Sequence, residues 1–410
     1  MDVLLSLSQS IKNVSLTIAG SKSETNRLLL LQALYPNITL YNISGSDDSR
    51  IMQKALAGND AVIDVHHAGT AMRFLAAYFA SREGREVTLT GSERMKERPI
   101  AILVDALRRL GAQIDYLEND GFPPLKIIGK KLNGGNVTIK AGVSSQYITA
   151  LLLIAPHLRQ GLKLTLEGEI TSRPYINMTL GLLAEAGFKS SFSGNSVTVP
   201  AQSEIYDLKS EITIESDWSS ASYFYSIVAL ADVGTAITLS SYKQNSLQGD
   251  SALAEIYKDL GVNTTFTENA ITLTKINHHP STVNRQLNDT PDIAQTIAVT
   301  CLGLGIGCRL TGLHTLRIKE TDRLAALKKE MEKFGAEVLV TEDTLELKPI
   351  TVALPKGASI ETYNDHRMAM AFAPLAVRTP LTIRDAGVVS KSYPAFWDDM
   401  QKLGFLVVNL

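Results

Sequence analysis

Apolar and polar positions along the chain repeat a three-part pattern: a stretch with helical spacing of apolar residues, a glycine, and two short stretches that alternate with period two. The helical part is plain in Val104-Asp105-Ala106-Leu107-Arg108-Arg109-Leu110-Gly111, and it recurs before Gly187, Gly261, Gly335 and Gly404. Each glycine is expected to stop its helix in the left-handed C′ conformation, which residues bearing a Cβ adopt only at a cost. After Gly335, Glu337-Val338-Leu339-Val340 and Thr344-Leu345-Glu346-Leu347 flank Thr341-Glu342-Asp343 as the arms of a hairpin. Successive glycines lie 76, 74, 74 and 69 residues apart. Helix, glycine and strand follow one another in many α/β proteins, but so even a spacing points to a structural repeat. A shorter sixth copy reads as ending at Gly58, before Ala61-Val62-Ile63-Asp64-Val65. The units are too long for a helical solenoid and lack the strand–helix alternation of a dinucleotide fold. Six of them pack most simply as two groups of three, with a ligand site where the groups meet.

Composition narrows the function classes. In 410 residues, 40 Lys and Arg face 42 Asp and Glu, a formal charge of −2, without the basic surplus that a nucleic-acid surface needs. With 45% hydrophobic and 20% charged residues the chain is globular, and its length fits two or three domains. Cys301 and Cys308, in an apolar stretch, read as buried free thiols of a reducing compartment. The N-terminus does not read as a secretory signal, and the uncharged run from Ile293 to Cys308 is too short and too often interrupted to span a bilayer. These features predict a soluble, cytoplasmic protein with no membrane or nucleic-acid partner.

Several segments carry candidate chemistry. In Gly20-Ser21-Lys22-Ser23-Glu24-Thr25-Asn26-Arg27, Ser21 and Glu24 have capping-box spacing, and a helix start beside Lys22 and Arg27 is a natural seat for phosphate or carboxylate. An ordinary capped helix with solvated charges explains it as well. The same holds for Ala68-Gly69-Thr70-Ala71-Met72-Arg73 and for Ser144-Ser145-Gln146-Tyr147, each of which precedes an apolar helix. Arg94-Met95-Lys96-Glu97-Arg98-Pro99 sets three cations within five positions, as a charged surface loop also would. In Arg317-Ile318-Lys319-Glu320-Thr321-Asp322-Arg323 the spacing puts Lys319 and Arg323 on one helical face, with Glu320 beside them; a solvated, salt-bridged helix is the alternative. Asn364-Asp365-His366-Arg367 precedes a further apolar segment, and Lys391 follows Val388-Val389-Ser390.

In this order, from Gly20-Ser21-Lys22-Ser23 to Lys391-Ser392-Tyr393-Pro394, the motifs resemble the enolpyruvyl transferases, in the branch whose acceptor is shikimate 3-phosphate. The Ala-Gly-Thr-Ala-Met-Arg, Arg-Met-Lys-Glu-Arg-Pro, Lys-Glu-Thr-Asp-Arg and Asn-Asp-His-Arg-Met-Ala-Met strings carry the resemblance. It implies an α/β monomer of two domains, each of three βαβαββ repeats around a pseudo-threefold axis, the inverse α/β barrel of that family. The domains are expected at 21–214 and at 1–20 with 215–410, hinged at the two crossings and closing on ligands. The implied reaction passes the enolpyruvyl group of phosphoenolpyruvate to the 5-hydroxyl of shikimate 3-phosphate, in the route to chorismate and the aromatic amino acids.

Carried onto matching positions, the resemblance implies a phosphoenolpyruvate site of Lys22, Gly69, Arg98, Gln146, Arg323, His366, Arg367 and Lys391. The shikimate 3-phosphate site would use Lys22, Ser23, Arg27, Ser144, Ser145, Gln146, Ser172, Tyr175, Asp292, Thr315 and Lys319. Asp292 would be the base at the hydroxyl and Glu320 the proton donor to the methylene carbon, with Lys22 assisting. Neither a metal nor an organic cofactor is implied, and the His66-His67 and His278-His279 pairs lack companions at metal-site spacing. The chain departs from the family pattern at His67 and Thr315, both usually Asn, and at Phe74, usually Pro; His67 and Phe74 alter the surroundings of the site at which the family's inhibitor glyphosate acts. The sister transferase acting on UDP-N-acetylglucosamine would carry a reactive Cys in the 94–99 segment, which has none. A binding protein that had lost its chemistry need not retain both Asp292 and Glu320. RNA-end processing on a related repeat would require a nucleotide signature and a nucleophilic His, and neither is evident.

Overall fold

The structure, a computed structural model, describes residues 1–140, 142, 144–168, 170, 173–202, 211–278, 282–350 and 353–410. Ser172 and His279 lie outside the described residues. The chain divides into two compact units: one continuous, Gly20–Ile214, and one discontinuous, Met1–Ala19 with Glu215–Leu410.

One strand plan recurs in both. Two parallel strands are joined through a helix, a second helix follows, and a hairpin then adds its far strand against the second of the parallel pair. In the discontinuous unit Val283–Gln286 and Cys308–Thr311 pair parallel, Leu345–Leu347 pairs antiparallel with the latter, and Val338–Val340 forms the edge. The sheets built on Val62–Asp64 and on Gly135–Lys140 in the continuous unit have the same order. Two further sheets of the discontinuous unit borrow strands from the start of the chain. Val14–Leu16 pairs parallel with Ala236–Ser240, and Val3–Leu7 lies between Leu381–Ile383 and Phe405–Asn409, with Val3 opposite both Ile383 and Asn409. Among the described residues these are separate open sheets rather than one hydrogen-bonded barrel.

The helices inside the parallel pairs form the centre of each unit. Trp218–Leu230, Ala294–Leu304 and His366–Phe372 are apolar nearly all round, and helices with no polar face are stable only when covered on every side. The helix Ala294–Leu304 packs against both of the others. Lys22–Leu34, Gly69–Ala80 and Ser145–Ile154 occupy the same place in the continuous unit and pack against one another. The helices that end at the repeat glycines, such as Ala101–Arg109, keep one charged, exposed face.

Gly111, Gly187, Gly261, Gly335 and Gly404 have φ of 102°, 93°, 78°, 78° and 95°, the left-handed stop read from the sequence. Gly58 differs. It ends the helix Asp47–Ala57 with its N–H on the Lys54 carbonyl, but stays extended at φ −87°, ψ 167°. The reason is that no hairpin follows: the chain runs straight into Val62–Asp64, the first strand of the next sheet. The sixth copy is accordingly a two-stranded sheet of Thr39–Tyr41 and Glu211–Thr213 among the described residues.

The space around a Cβ at Gly111 is empty, so Gly111→Ala is opposed by the backbone alone and should lower stability by about 1 kcal/mol. Gly387 has the same open surroundings without a left-handed φ, and Gly387→Ala should raise stability by about 0.5 kcal/mol. Urea midpoints moving in opposite directions would bear this out; a shared direction would show that the left-handed stop is not what the repeat glycine supplies.

Candidate functional site

In each unit the candidate residues gather at the starts of the central helices, where N–H groups are uncompensated. In the discontinuous unit the cluster is built on Arg323, whose side chain is 2% exposed. Its Nε donates to Asp365 Oδ2 at 2.7 Å, Nη1 to Asp292 Oδ1 at 3.0 Å, and Nη2 to Glu320 Oε2 at 3.0 Å. One guanidinium thus links three carboxylates, and its planar fork suits that task better than an ammonium would. Further cations sit on two of the same carboxylates. Lys391 Nζ is 2.7 Å from Glu320 Oε1, Arg367 Nη2 is 3.1 Å from Asp292 Oδ2, and Lys319 Nζ is 3.5 Å from Asp292 Oδ1.

The local sequence explains the placement. Asp365 caps the helix His366–Phe372 by accepting from the Arg367 N–H, which fixes His366 and Arg367 at the helix start. Asp322 caps the next helix by accepting from the Leu324 and Ala325 N–H groups, so that helix begins only at Arg323. This corrects the expectation that Lys319 and Arg323 share a helical face: Lys319 stands before the cap, after a 3₁₀ turn at His314–Ile318. Both still reach Asp292. Thr315 lies in that turn, with its buried Oγ1 making no hydrogen bond among the described residues.

Electrostatics follow from this crowding. Burial opposes charge on Asp292, but Arg367, Lys319 and Arg323 outweigh it and hold the carboxyl well below the usual range. Burial likewise opposes charge on Glu320, and Arg323, Lys391 and His366 hold it well below. Both groups are therefore ionised at neutral pH.

The continuous unit carries a second cationic group. Lys22 Nζ lies 3.7 Å from Asp48 Oδ2. Arg27 is buried, and its hydrogen bonds among the described residues go to neutral oxygens: the Ser23 carbonyl at 2.7 Å, Thr179 Oγ1 at 3.0 Å and Thr149 Oγ1 at 3.4 Å. Burial pushes it down to about 10, against the smaller opposing effects of Tyr175 and Glu24. Its guanidinium stands 5.7 Å from the Phe74 ring centroid, which gives the departure at position 74 a cation–π role. Tyr175 starts the turn below, its carbonyl accepting from Thr179 Oγ1 at 2.8 Å.

Arg98 is separated from its neighbours by pairing. Arg94 bonds Glu97 at 2.8 Å and Lys96 bonds Glu118 at 3.0 Å, on a short helix at Glu93–Lys96, whereas Arg98 forms no ion pair among the described residues. Its guanidinium rests on Gly69, where a Cβ would come within 2.4 Å of Nη1. Buried Arg73 donates to the Pro99 carbonyl at 2.9 Å and the Gly69 carbonyl at 3.2 Å, bracing both ends of that contact. Gln146 Nε2 donates to Thr70 Oγ1 at 3.1 Å, and Ser144 Oγ accepts from the Gln146 N–H, with Ser145 between them. The capping box expected from Ser21 and Glu24 is not formed: Ser21 precedes the helix but makes no side-chain cap bond, leaving that start to other acceptors.

Sequence reasoning gave no role to Asp365, Thr149, Thr179 or Arg73, although Asp365 and Arg73 stand inside segments it singled out. Asp365 left one signal, its position as a cap before His366-Arg367. Among the described residues no group of three or more His, Cys, Asp or Glu side chains could hold a metal ion, and no helix is long and apolar enough to cross a membrane. The exposed His66 and His67 rings stack at 4.1 Å, with Ser92 Oγ 2.7 Å from His67 Nδ1, and both cysteines are buried and free.

The model of the EPSP synthase (3-phosphoshikimate 1-carboxyvinyltransferase) family matches residues 47–400. The chain belongs to the EPSP synthase family. A relative from Bacteroides fragilis (strain YCH46), named 3-phosphoshikimate 1-carboxyvinyltransferase, is 47% identical over 99% of this chain and 98% of its own. One of the same name from Edwardsiella ictaluri (strain 93-146) is 38% identical over 95% of each. A solved EPSP synthase from Acinetobacter baumannii superposes with a TM-score of 0.80 over all of both chains at 20% identity, which establishes the two-domain EPSP synthase fold. Lys22, Ser23 and Arg27 precede the stretch matched by the EPSP synthase model, but they fall within the span shared with the Bacteroides relative to all but 1% of the chain.

Removing one partner of a buried ion pair is costly, so Asp365→Ala should destabilise the protein by about 3 kcal/mol. A urea midpoint within error of the parent would contradict the three-carboxylate account of Arg323. Because Asp292 and Glu320 are depressed on folding, their contribution is full above the unfolded value of about pH 4 and is lost as pH falls through the lower folded values. Stability measured downward from pH 5 should therefore decline, and less steeply in Arg323→Met.

Proposed function

We propose that this chain transfers the enolpyruvyl group of phosphoenolpyruvate to the 5-hydroxyl of shikimate 3-phosphate, releasing phosphate. The supporting observation is the Arg323 cluster: two carboxylates able to exchange protons, held ionised by cations that two phosphate- and carboxylate-bearing substrates would engage. Asp292 takes the hydroxyl proton as the oxygen attacks C2 of phosphoenolpyruvate, and C3 gains a proton from Glu320, giving a tetrahedral intermediate. The C2–O bond to phosphate then breaks as C3 returns a proton, leaving the enol ether.

Glu320 must first acquire that proton. An arriving phosphate and carboxylate draw charge from Lys391, Arg323 and Arg367, and this removes the field that kept Glu320 ionised. Lys22, Arg98 and Gln146 would complete the phosphoenolpyruvate contacts. Arg27, Ser23, Ser144, Ser145, Tyr175, Thr315 and Lys319 would serve shikimate 3-phosphate, and Ser172 is carried in that set on resemblance alone. Since these groups are divided between two units, the reading requires the crossings after Ala19 and Ile214 to act as hinges.

Phosphate should be released only when phosphoenolpyruvate and shikimate 3-phosphate are present together. Release with UDP-N-acetylglucosamine instead would overturn the assignment, and silence with either acceptor would favour a binding protein. Asp292→Asn and Glu320→Gln should each lower kcat about 100-fold or more while KM changes little; near-normal turnover in either removes its proton-transfer role. Gly69→Ala displaces the Arg98 guanidinium and should raise KM for phosphoenolpyruvate more than for shikimate 3-phosphate, equal effects being evidence against that contact. Small-angle scattering should show compaction on adding both substrates, and an unchanged radius of gyration would argue against hinging.

A further inference from the structure

The six central helices begin at equivalent points of the repeat, and five of those starts carry residues to which the family resemblance gives a role: Lys22, Gly69, Ser145, Asp292 and His366 with Arg367. The sixth, at Asp217-Trp218-Ser219, carries none. We propose that Asp250 is a positioning residue that acts through Ser219 to fix the Arg367 guanidinium for the carboxylate of phosphoenolpyruvate, an inference that rests on the function proposed above.

Ser219 Oγ donates to Asp250 Oδ2 in a short contact and accepts from Arg367 Nη2 at 3.3 Å. The same Nη2 donates to Asp292 Oδ2 at 3.1 Å, while Nη1 donates to the Asp292 carbonyl at 3.2 Å. Both Nη2 protons are thereby committed, one to the proposed base and one to the hydroxyl, which sets the plane of the guanidinium. Gln248 anchors the Asp250 turn: its Oε1 accepts from the Trp218 N–H at 2.9 Å and its Nε2 donates to the Ser216 carbonyl at 3.0 Å. The carboxylate and the serine it addresses are therefore carried by segments tied to each other. Asp250 is 7% exposed and its acceptor role on Ser219 is distinct from the ion pairs that hold Arg323.

A serine hydroxyl has one proton. While Asp250 is ionised that proton goes to the carboxylate, and the oxygen lone pairs face Arg367. Once Asp250 is protonated it can donate to Oγ itself; the serine proton must then leave the carboxylate, and one of the two positions open to it is that of the lone pair facing Arg367, so Arg367 is held less firmly. The titratable groups facing Asp250 are Asp292, Arg367 and Asp217, and those facing Arg367 include Tyr223, which burial keeps neutral. Burial, with Asp292 adding to it, raises Asp250 to about 7, so the two arrangements exchange in the range where the enzyme would work.

The test is the pH dependence of kcat/KM for phosphoenolpyruvate in the parent, Asp250→Asn and Ser219→Ala. Phosphoenolpyruvate's own phosphate titrates in this range, so the reading is taken from the difference between parent and variant. At pH 8 each variant should show KM for phosphoenolpyruvate raised about tenfold, with KM for shikimate 3-phosphate unchanged. The difference should shrink as pH falls below 7, where the parent comes to resemble Asp250→Asn. A parent that releases no phosphate defeats the proposed function itself. An active parent whose variants keep its KM values and pH profile, or lose affinity for both substrates equally at every pH, overturns the role of Asp250 alone.

Discussion

The buried Arg323 guanidinium is held by three carboxylates, and much of the candidate site follows from that arrangement. Three carboxylates from three separate segments, Asp292, Glu320 and Asp365, converge on one side chain that cannot lose its proton. Each carboxylate is then a negative point to which further cations are drawn, so Lys319, Arg367 and Lys391 are held in place without a ligand. The arrangement concentrates charge in a buried place, and the pairing of each charge offsets part of the cost of desolvating it. What it offers an anionic substrate is exchange of partners rather than a set of bare cations.

The repeat supplies the geometry for this. Each unit packs its central helices against one another, and the candidate side chains lie at or just before the helix starts, so they occur together with uncompensated N–H groups. Much of this was legible in the chain. The five glycines announced the left-handed stops and the hairpins after them, because a helix end followed by a turn has few solutions. Strings such as Lys-Glu-Thr-Asp-Arg identified the carboxylate and cation pairs through resemblance.

What was not legible had two physical causes. Capping chemistry is ambiguous in one dimension: Asp322 places the helix start at Arg323 and so separates it from Lys319, whereas Ser21, with the better spacing for a box, forms none. Tertiary partners leave no trace in sequence: nothing beside Arg98 distinguishes it from Arg94 and Lys96, yet those two are tied up by glutamates and, among the described residues, Arg98 is not. Gly58 belongs to the first kind, since the conformation of a terminating glycine depends on what the chain does next, and there the hairpin is missing.

The first strand, Val3–Leu7, lies inside a sheet whose other members, Ala358–Ile360, Leu381–Ile383 and Phe405–Asn409, come from the far end of the chain. During synthesis it therefore emerges long before anything it can pair with. The continuous unit, whose strands all come from one stretch of chain, can complete its sheets while the rest is still being made. The discontinuous unit must wait, with two orphan strands already outside the ribosome: Val14–Leu16 until Ala236–Ser240 arrives, and Val3–Leu7 until the C-terminal strands enclose it. The Arg323 cluster belongs to that late unit, so the charge network at the centre of the proposed chemistry is assembled among the last parts of the molecule to fold.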